Sequence, residues 1–134
     1  MEKVLNFLKD AEVFFLSTIN GDKPSCRPFG ATLIFDNKLY LITKKHKNVS
    51  QQIAKNNQIC ITAVNKDYSW IRIESKLIDD SNNTDAKQAF LDTFEDLAEE
   101  GYSLKNPDFQ ILHLENSIAT IKDYDGNIIS KYTF

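Results

Sequence analysis

Apolar positions along the chain follow two periods. In the first segment Val4, Leu5 and Leu8 fall on one side of a 3.6-residue repeat, which predicts a short amphipathic helix over Glu2 to Asp10. Val13 to Ile19 (VFFLSTI) is rich in aromatic and β-branched residues and reads as a strand. Asn20-Gly21 follows, and both residues accept the positive φ of a hairpin turn. Ser25 to Phe35 is a returning strand that Pro28 and Gly30 should bend or bulge. Asp36-Asn37 turns the chain again into Lys38 to Thr43 (KLYLIT). From about Lys47 to Asn56 the period changes to helical, with Val49 and Ile53 four apart.

Two further strands are predicted over Gln58 to Val64 and Ser69 to Ile78, joined by the polar turn Asn65-Lys66-Asp67. In the second, Ile71, Ile73 and Leu77 share one face, and Trp70, Arg72, Glu74 and Lys76 the other. A third helix is expected from about Thr84 to Glu100, capped by Asn83 or Thr84 and ended by Gly101. Its apolar stripe would be Ala86, Phe90, Phe94 and Leu97. Ile111 to Asp123 and Ile128 to Phe134 close the chain as a hairpin around Asp125-Gly126. Tight turns between successive strands make most of the sheet antiparallel. The fold class is mainly β, a small barrel or strongly curled sheet with helices on its flanks.

Composition narrows this picture. A chain of 134 residues suits one domain, here residues 1–134, able to bury a single core without disulfides or metal. The net charge of −3 argues against a protein that tracks nucleic-acid phosphates. Cys26 and Cys60 have no metal-type spacing and read as reduced small core residues. His46 and His113 complete no zinc constellation. The N-terminal stretch MEKVLNFLKD lacks the apolar run of a signal peptide, and no segment approaches membrane-spanning length. These features favour a cytoplasmic protein with no membrane partner.

Candidate chemistry concentrates in a few places. Thr43-Lys44-Lys45-His46-Lys47-Asn48 lies between a strand and a helix start, where lysines oppose the positive end of the helix dipole. Either the stretch is a solvated basic loop, or an anion held by backbone N–H, hydroxyl and ammonium groups makes it favourable. Arg27 sits in a strand otherwise low in charge, which calls for an anionic partner, either a carboxylate or a phosphate. Trp70 falls on the charged side of its strand, as core packing at a barrel end or as a platform for a ring or a partner subunit. With only four glycines, the chain has no Gly-x-Ser-x-Gly, Walker or dinucleotide-binding motif. A hydrolase has no support.

Taken in order, FFLSTINGDKPSCRPFG, KLYLITKKHKNVSQQIAKNNQICI and WIRIESKLIDD resemble the pyridoxamine 5′-phosphate oxidase-like family of FMN-binding split barrels, its short bacterial branch most closely. The resemblance implies an antiparallel split β-barrel with flanking helices and a homodimer with FMN at its interface. Carried onto this chain, it sets Arg27 against the flavin phosphate and runs the backbone of Pro28 and Phe29 along the flavin ring. Ile42 and Thr43 would border the cofactor, Thr43 bonding its phosphate. Lys47 and Asn48 would add phosphate ligands, and Trp70 would stand where the oxidases reach the flavin of the other subunit. The family's Ser-Arg-Lys phosphate run appears here as Lys47-Asn48-Val49, with fewer strong cations, so deazaflavin or haem stays open as the ligand. The terminal DYDGNIISKYTF has no counterpart of the oxidases' substrate-holding Trp and Arg, which argues against vitamin B6 oxidation. The implied function is a flavin-dependent oxidoreductase acting on a small molecule, with no catalytic acid or base visible and no metal. Its alternatives are a non-catalytic FMN-binding or storage protein, and a barrel binding single-stranded nucleic acid through Phe14, Phe15, Tyr40 and Trp70.

Overall fold

Eight strands pair into one wholly antiparallel sheet in the computed structural model, which describes residues 1–134. The chain runs α1 (Glu2–Ala11), β1 (Phe14–Asn20), β2 (Lys23–Phe29), β3 (Thr32–Phe35), β4 (Lys38–Lys44), α2 (Asn48–Lys55), β5 (Gln58–Val64), β6 (Trp70–Asp79), α3 (Thr84–Thr93), β7 (Phe109–Lys122) and β8 (Ile128–Thr133). Strand order is β2-β1-β5-β6-β7-β4-β3, with β8 on the second half of β7. No helix is long and apolar enough to cross a membrane.

This order decides where a site can form. β2 and β3 are consecutive in sequence but lie at opposite ends of the sheet, joined through Gly30 and Ala31. Curling of the sheet brings its two ends together, and no ladder joins them. The barrel is split there. Pro24 and Pro28 both fall in β2, where only an edge strand has unpaired N–H positions to lose. The expected bend between Ser25 and Phe35 is therefore a complete break into two strands.

Alternation along β1, β5 and β6 buries Phe14, Leu16, Ile59, Ile61, Ile71 and Ile73 inside the barrel. Val4 and Leu8 of α1 and Val49 and Ile53 of α2 join the same core. A second core lies on the outer side of β4 and β7, where Tyr40, Ile42, Phe109 and Ile111 meet Ala86 and Phe90 of α3. Phe14 and Tyr40, at 1% and 0% exposure, are core residues and unavailable as stacking platforms for bases.

The third helix is shorter than its apolar spacing predicts. α3 is capped by Asn83, whose side chain accepts from the Ala86 amide at 3.0 Å, but it ends at Thr93 rather than Glu100. Phe94 leaves the helical conformation with φ −119° and ψ 99°, keeping its ring stacked on Phe90 at 6.0 Å. A 3₁₀ turn over Glu95–Leu97 then buries Leu97. Packing against the second core outweighs helical continuation there.

Candidate functional site

At the split, the end of β2 faces the end of β4 and the start of α2 across a cleft of about 480 Å³. Arg27, Pro28, Phe29, Ile42, Thr43 and Lys47, all expected from the sequence, line it together. The opposite wall was not legible beforehand. It comes from the segment after α3, through Phe94, Asp96, Leu97, Glu100 and Tyr102.

Arg27 is the chemical centre of the cleft. Its partners are all neutral: Nη1 donates to Thr18 Oγ1 at 2.7 Å and to the Leu16 carbonyl at 3.3 Å, and Nη2 donates to Gln52 Oε1 at 2.9 Å. The chain's single ion pair, His46 with Asp108, lies elsewhere, so no carboxylate neutralises this guanidinium. Burial pulls its pKa below the ordinary value, against a smaller opposing influence from Cys26. A partly buried, uncompensated cation lining a cleft is poised for an anion.

The basic stretch before α2 divides by role. Lys44 donates to the Glu100 carbonyl at 2.5 Å and lies over the Tyr102 ring at 5.0 Å, which fastens the far wall to β4. The Lys45 and His46 amides donate to the Asp108 carbonyl and carboxylate at 2.9 Å each. The His46 ring N–H donates to Asp108 at 2.5 Å, and that bond chiefly holds the Asp108 carboxyl below its usual range. These contacts pin the loop to the start of β7. Lys47 alone of the three lysines reaches the cleft. It is also the N-cap of α2, offers no capping acceptor, and no acidic residue stands in the first turn. The first amides of α2 are left without a side-chain partner beside Arg27 and Lys47.

Asn48 and Trp70 are not brought into this cleft within one chain. Asn48 lines a neighbouring polar groove with Asn20, Gln51, Gln52 and Asn56. Trp70 lies on the outer sheet face, flanked by Arg72 at 5.1 Å and Lys122 at 5.5 Å from its ring. That face is open. One row across the strands runs Pro28, Phe15, Thr62, Arg72 and Thr120, and the next runs Cys26, Ser17, Cys60, Glu74 and Ile118. Phe15 is 44% exposed on the first row, and Ile118, 42% exposed on the second, lines a shallow hollow of about 750 Å³ with Ser17, Cys60, Arg72 and Glu74. Burial pushes the Cys60 thiol upward there. Pro28 belongs both to the cleft and to this outer face, so the two adjoin.

Sequence reasoning also missed Thr18 and Gln52, which hold Arg27. Thr18 interrupts the inward apolar row of Phe14 and Leu16, and at 3% exposure that polar residue was the available signal.

The strand order and the cleft at the sheet's open seam define a split β-barrel. The family model described as "Pyridoxamine 5′-phosphate oxidase like" matches residues 1–133, and the chain belongs to that family. It is similar to a NimC/NimA family protein from Clostridium acetobutylicum, with 30% identity, coverage of 100% of this chain and 92% of the other, and a TM-score of 0.93. A pyridoxamine 5′-phosphate oxidase-related, FMN-binding protein from Nostoc punctiforme has the same fold at 15% identity, covering 99% of this chain and 95% of its own, with a TM-score of 0.67. So does HutZ, the haem storage protein of Vibrio cholerae, at 9% identity, 85% and 87% coverage and a TM-score of 0.66. No curated protein matches the chain.

Proposed function

We propose that this protein binds FMN as a homodimer, with the flavin phosphate in the cleft at Arg27, and serves as a flavin-dependent oxidoreductase. The observation that carries the reading is Arg27, a partly buried cation among neutral partners, lining a cleft with Lys47 and the uncapped start of α2. A phosphate monoester supplies the missing charge and accepts from all three groups. The cleft has the size of a small-molecule site, and Phe29, Ala31, Ile42 and Val49 give it apolar walls for a ring system. Bound FMN would supply hydride and electron transfer, while the protein contributes position and charge. Arg27 and Lys47 would hold the phosphate, and Thr43 would add a hydroxyl. Pro28 and Phe29 would direct the ring toward the outer sheet face.

That face accounts for the dimer in the reading. Phe15, Ile118, Val64 and the partly buried Trp70 leave apolar surface open on one side of the sheet, next to the cleft. An isologous contact there would cover it and bring a second copy to the flavin edge. Haem fits less well, because neither of the chain's two histidines lines the cleft: His46 is held by Asp108, and His113 packs edge-on against Tyr40 at 5.6 Å. Absorbance of purified protein from 300 to 550 nm, before and after FMN addition and desalting, tests the reading. Retained flavin bands bleached by a reduced nicotinamide are expected. A colourless protein that releases all added FMN refutes it.

A further inference from the structure

A guanidinium has five N–H donors, and only three of those on Arg27 are engaged. Both on Nη1 are taken, by Thr18 and the Leu16 carbonyl, and one on Nη2 by Gln52. Nε–H and the second Nη2–H remain. These two lie parallel on one edge of the guanidinium and form a fork that matches two oxygens of a phosphate or carboxylate.

The holder is a closed triangle. Thr18 Oγ1 donates to Gln52 Oε1 at 2.5 Å while accepting from Arg27, so Gln52 Oε1 receives two bonds and both its lone pairs are used. Thr18 lies on β1, Arg27 on β2 and Gln52 in the second turn of α2, whose first residue follows Lys47. The triangle therefore fixes the distance between the two basic walls of the cleft. Its neutrality matters: a carboxylate in place of Gln52 would orient the guanidinium equally well but cancel the charge an anion needs.

We propose that Gln52, supported by Thr18, is a positioning residue that locks the Arg27 guanidinium with its Nε–H/Nη2–H edge free to grip a phosphate monoester through two oxygens. This rests on the phosphate-ester reading of the cleft. The test compares FMN with riboflavin, which lacks the phosphate, by fluorescence titration of the wild type, Gln52→Ala, Gln52→Glu, Thr18→Ser and Thr18→Val. Gln52→Ala is expected to weaken FMN binding about tenfold, the loss of one charge-assisted bond's worth of order, and to leave riboflavin unchanged. Gln52→Glu, which keeps the acceptor and adds a charge, should weaken FMN at least as much. Thr18→Ser should bind as the wild type does. Gln52→Ala binding FMN normally, or losing both flavins alike, overturns the assignment, and Thr18→Val answers the same question if that variant does not fold. A wild type that does not prefer FMN over riboflavin refutes the phosphate reading instead. Nitrogen-15 NMR of the arginine side chains then decides the positioning without ligand: resolved Arg27 Nη signals that collapse in Gln52→Ala uphold it, and averaged signals in both proteins refute it.

Discussion

Replacing Arg27 by alanine isolates the charge on which the cofactor reading depends. In the folded protein the guanidinium bonds Thr18, Leu16 and Gln52 and has two donors left for a ligand. Each charge-assisted bond to a phosphate contributes about 1.5–3 kcal/mol when well formed. Arg27 is only partly buried in a cleft open to water, so water recovers some of this on ligand loss. A net loss of about 3 kcal/mol is reasonable, equivalent to roughly a hundredfold weaker FMN binding. Stability should change little, because the Thr18–Gln52 bond at 2.5 Å survives the substitution. Quenching of FMN fluorescence on titration gives the affinity, riboflavin the phosphate-free control, and thermal unfolding the fold control. Arg27→Lys should fall between, since an ammonium keeps charge but lacks the planar fork. Equal FMN affinity in wild type and Arg27→Ala would refute the reasoning, and so would an equal loss of riboflavin.

Three further outcomes follow from the fold. Tyr40 is fully buried and donates to Asp80 Oδ2 at 2.7 Å. Burial opposes ionisation of Asp80, but this bond and one from Asn83 outweigh it and hold its pKa below the ordinary value. A depressed carboxylate pKa stabilises the fold above the unfolded value of about 4 and loses that effect as pH falls through the folded value. Tyr40→Phe should thus cost about 1–2 kcal/mol near pH 7, and the gap in urea denaturation should narrow below about pH 4. Phe90→Ala, at a fully buried position under α3, should cost about 3–5 kcal/mol in the same assay. Phe15→Glu combined with Ile118→Lys on the open sheet face should convert a dimer to a 15.4 kDa monomer, read by light scattering after size exclusion. A wild type already monomeric at micromolar concentration would remove the dimer from the reading.

Legibility from sequence followed the range of the interactions involved. The last hairpin turn and the two faces of β6 depend on neighbours a few residues away and formed where the pattern puts them. The first hairpin turns one residue later than expected: Asn20 pairs with Lys23 as strand, and Gly21-Asp22 make the turn with Gly21 alone at positive φ. Six cleft residues were also legible: Arg27, Thr43 and Lys47 stand out by their local chemistry, while Pro28, Phe29 and Ile42 came only with the family resemblance. The far wall had none. Phe94 and Leu97 show only an apolar spacing that fits a continued helix and Tyr102 follows its expected end, and what places Phe94 and Tyr102 is contact with Phe90, Phe109 and Lys44. Gln52 was hidden for the same reason, since its use depends on Thr18 and Arg27, 34 and 25 residues away.

Where the chain breaks its own local rules, the reasons converge on one seam. Three lysines precede a helix start, an arginine interrupts an edge strand that also contains two prolines, and a threonine interrupts an inward apolar row. Each is unfavourable alone. Arg27 and Lys47 line, and Thr18 braces from behind, the place where the sheet's ends approach without hydrogen bonding, so the backbone leaves a gap that side chains must fill or a ligand must occupy. The chain keeps two cations, Arg27 and Lys47, facing Asp96 and Glu100 with no ion pair between the walls. That arrangement is the expected mark of a binding site, in which local consistency yields to a partner the chain does not itself contain.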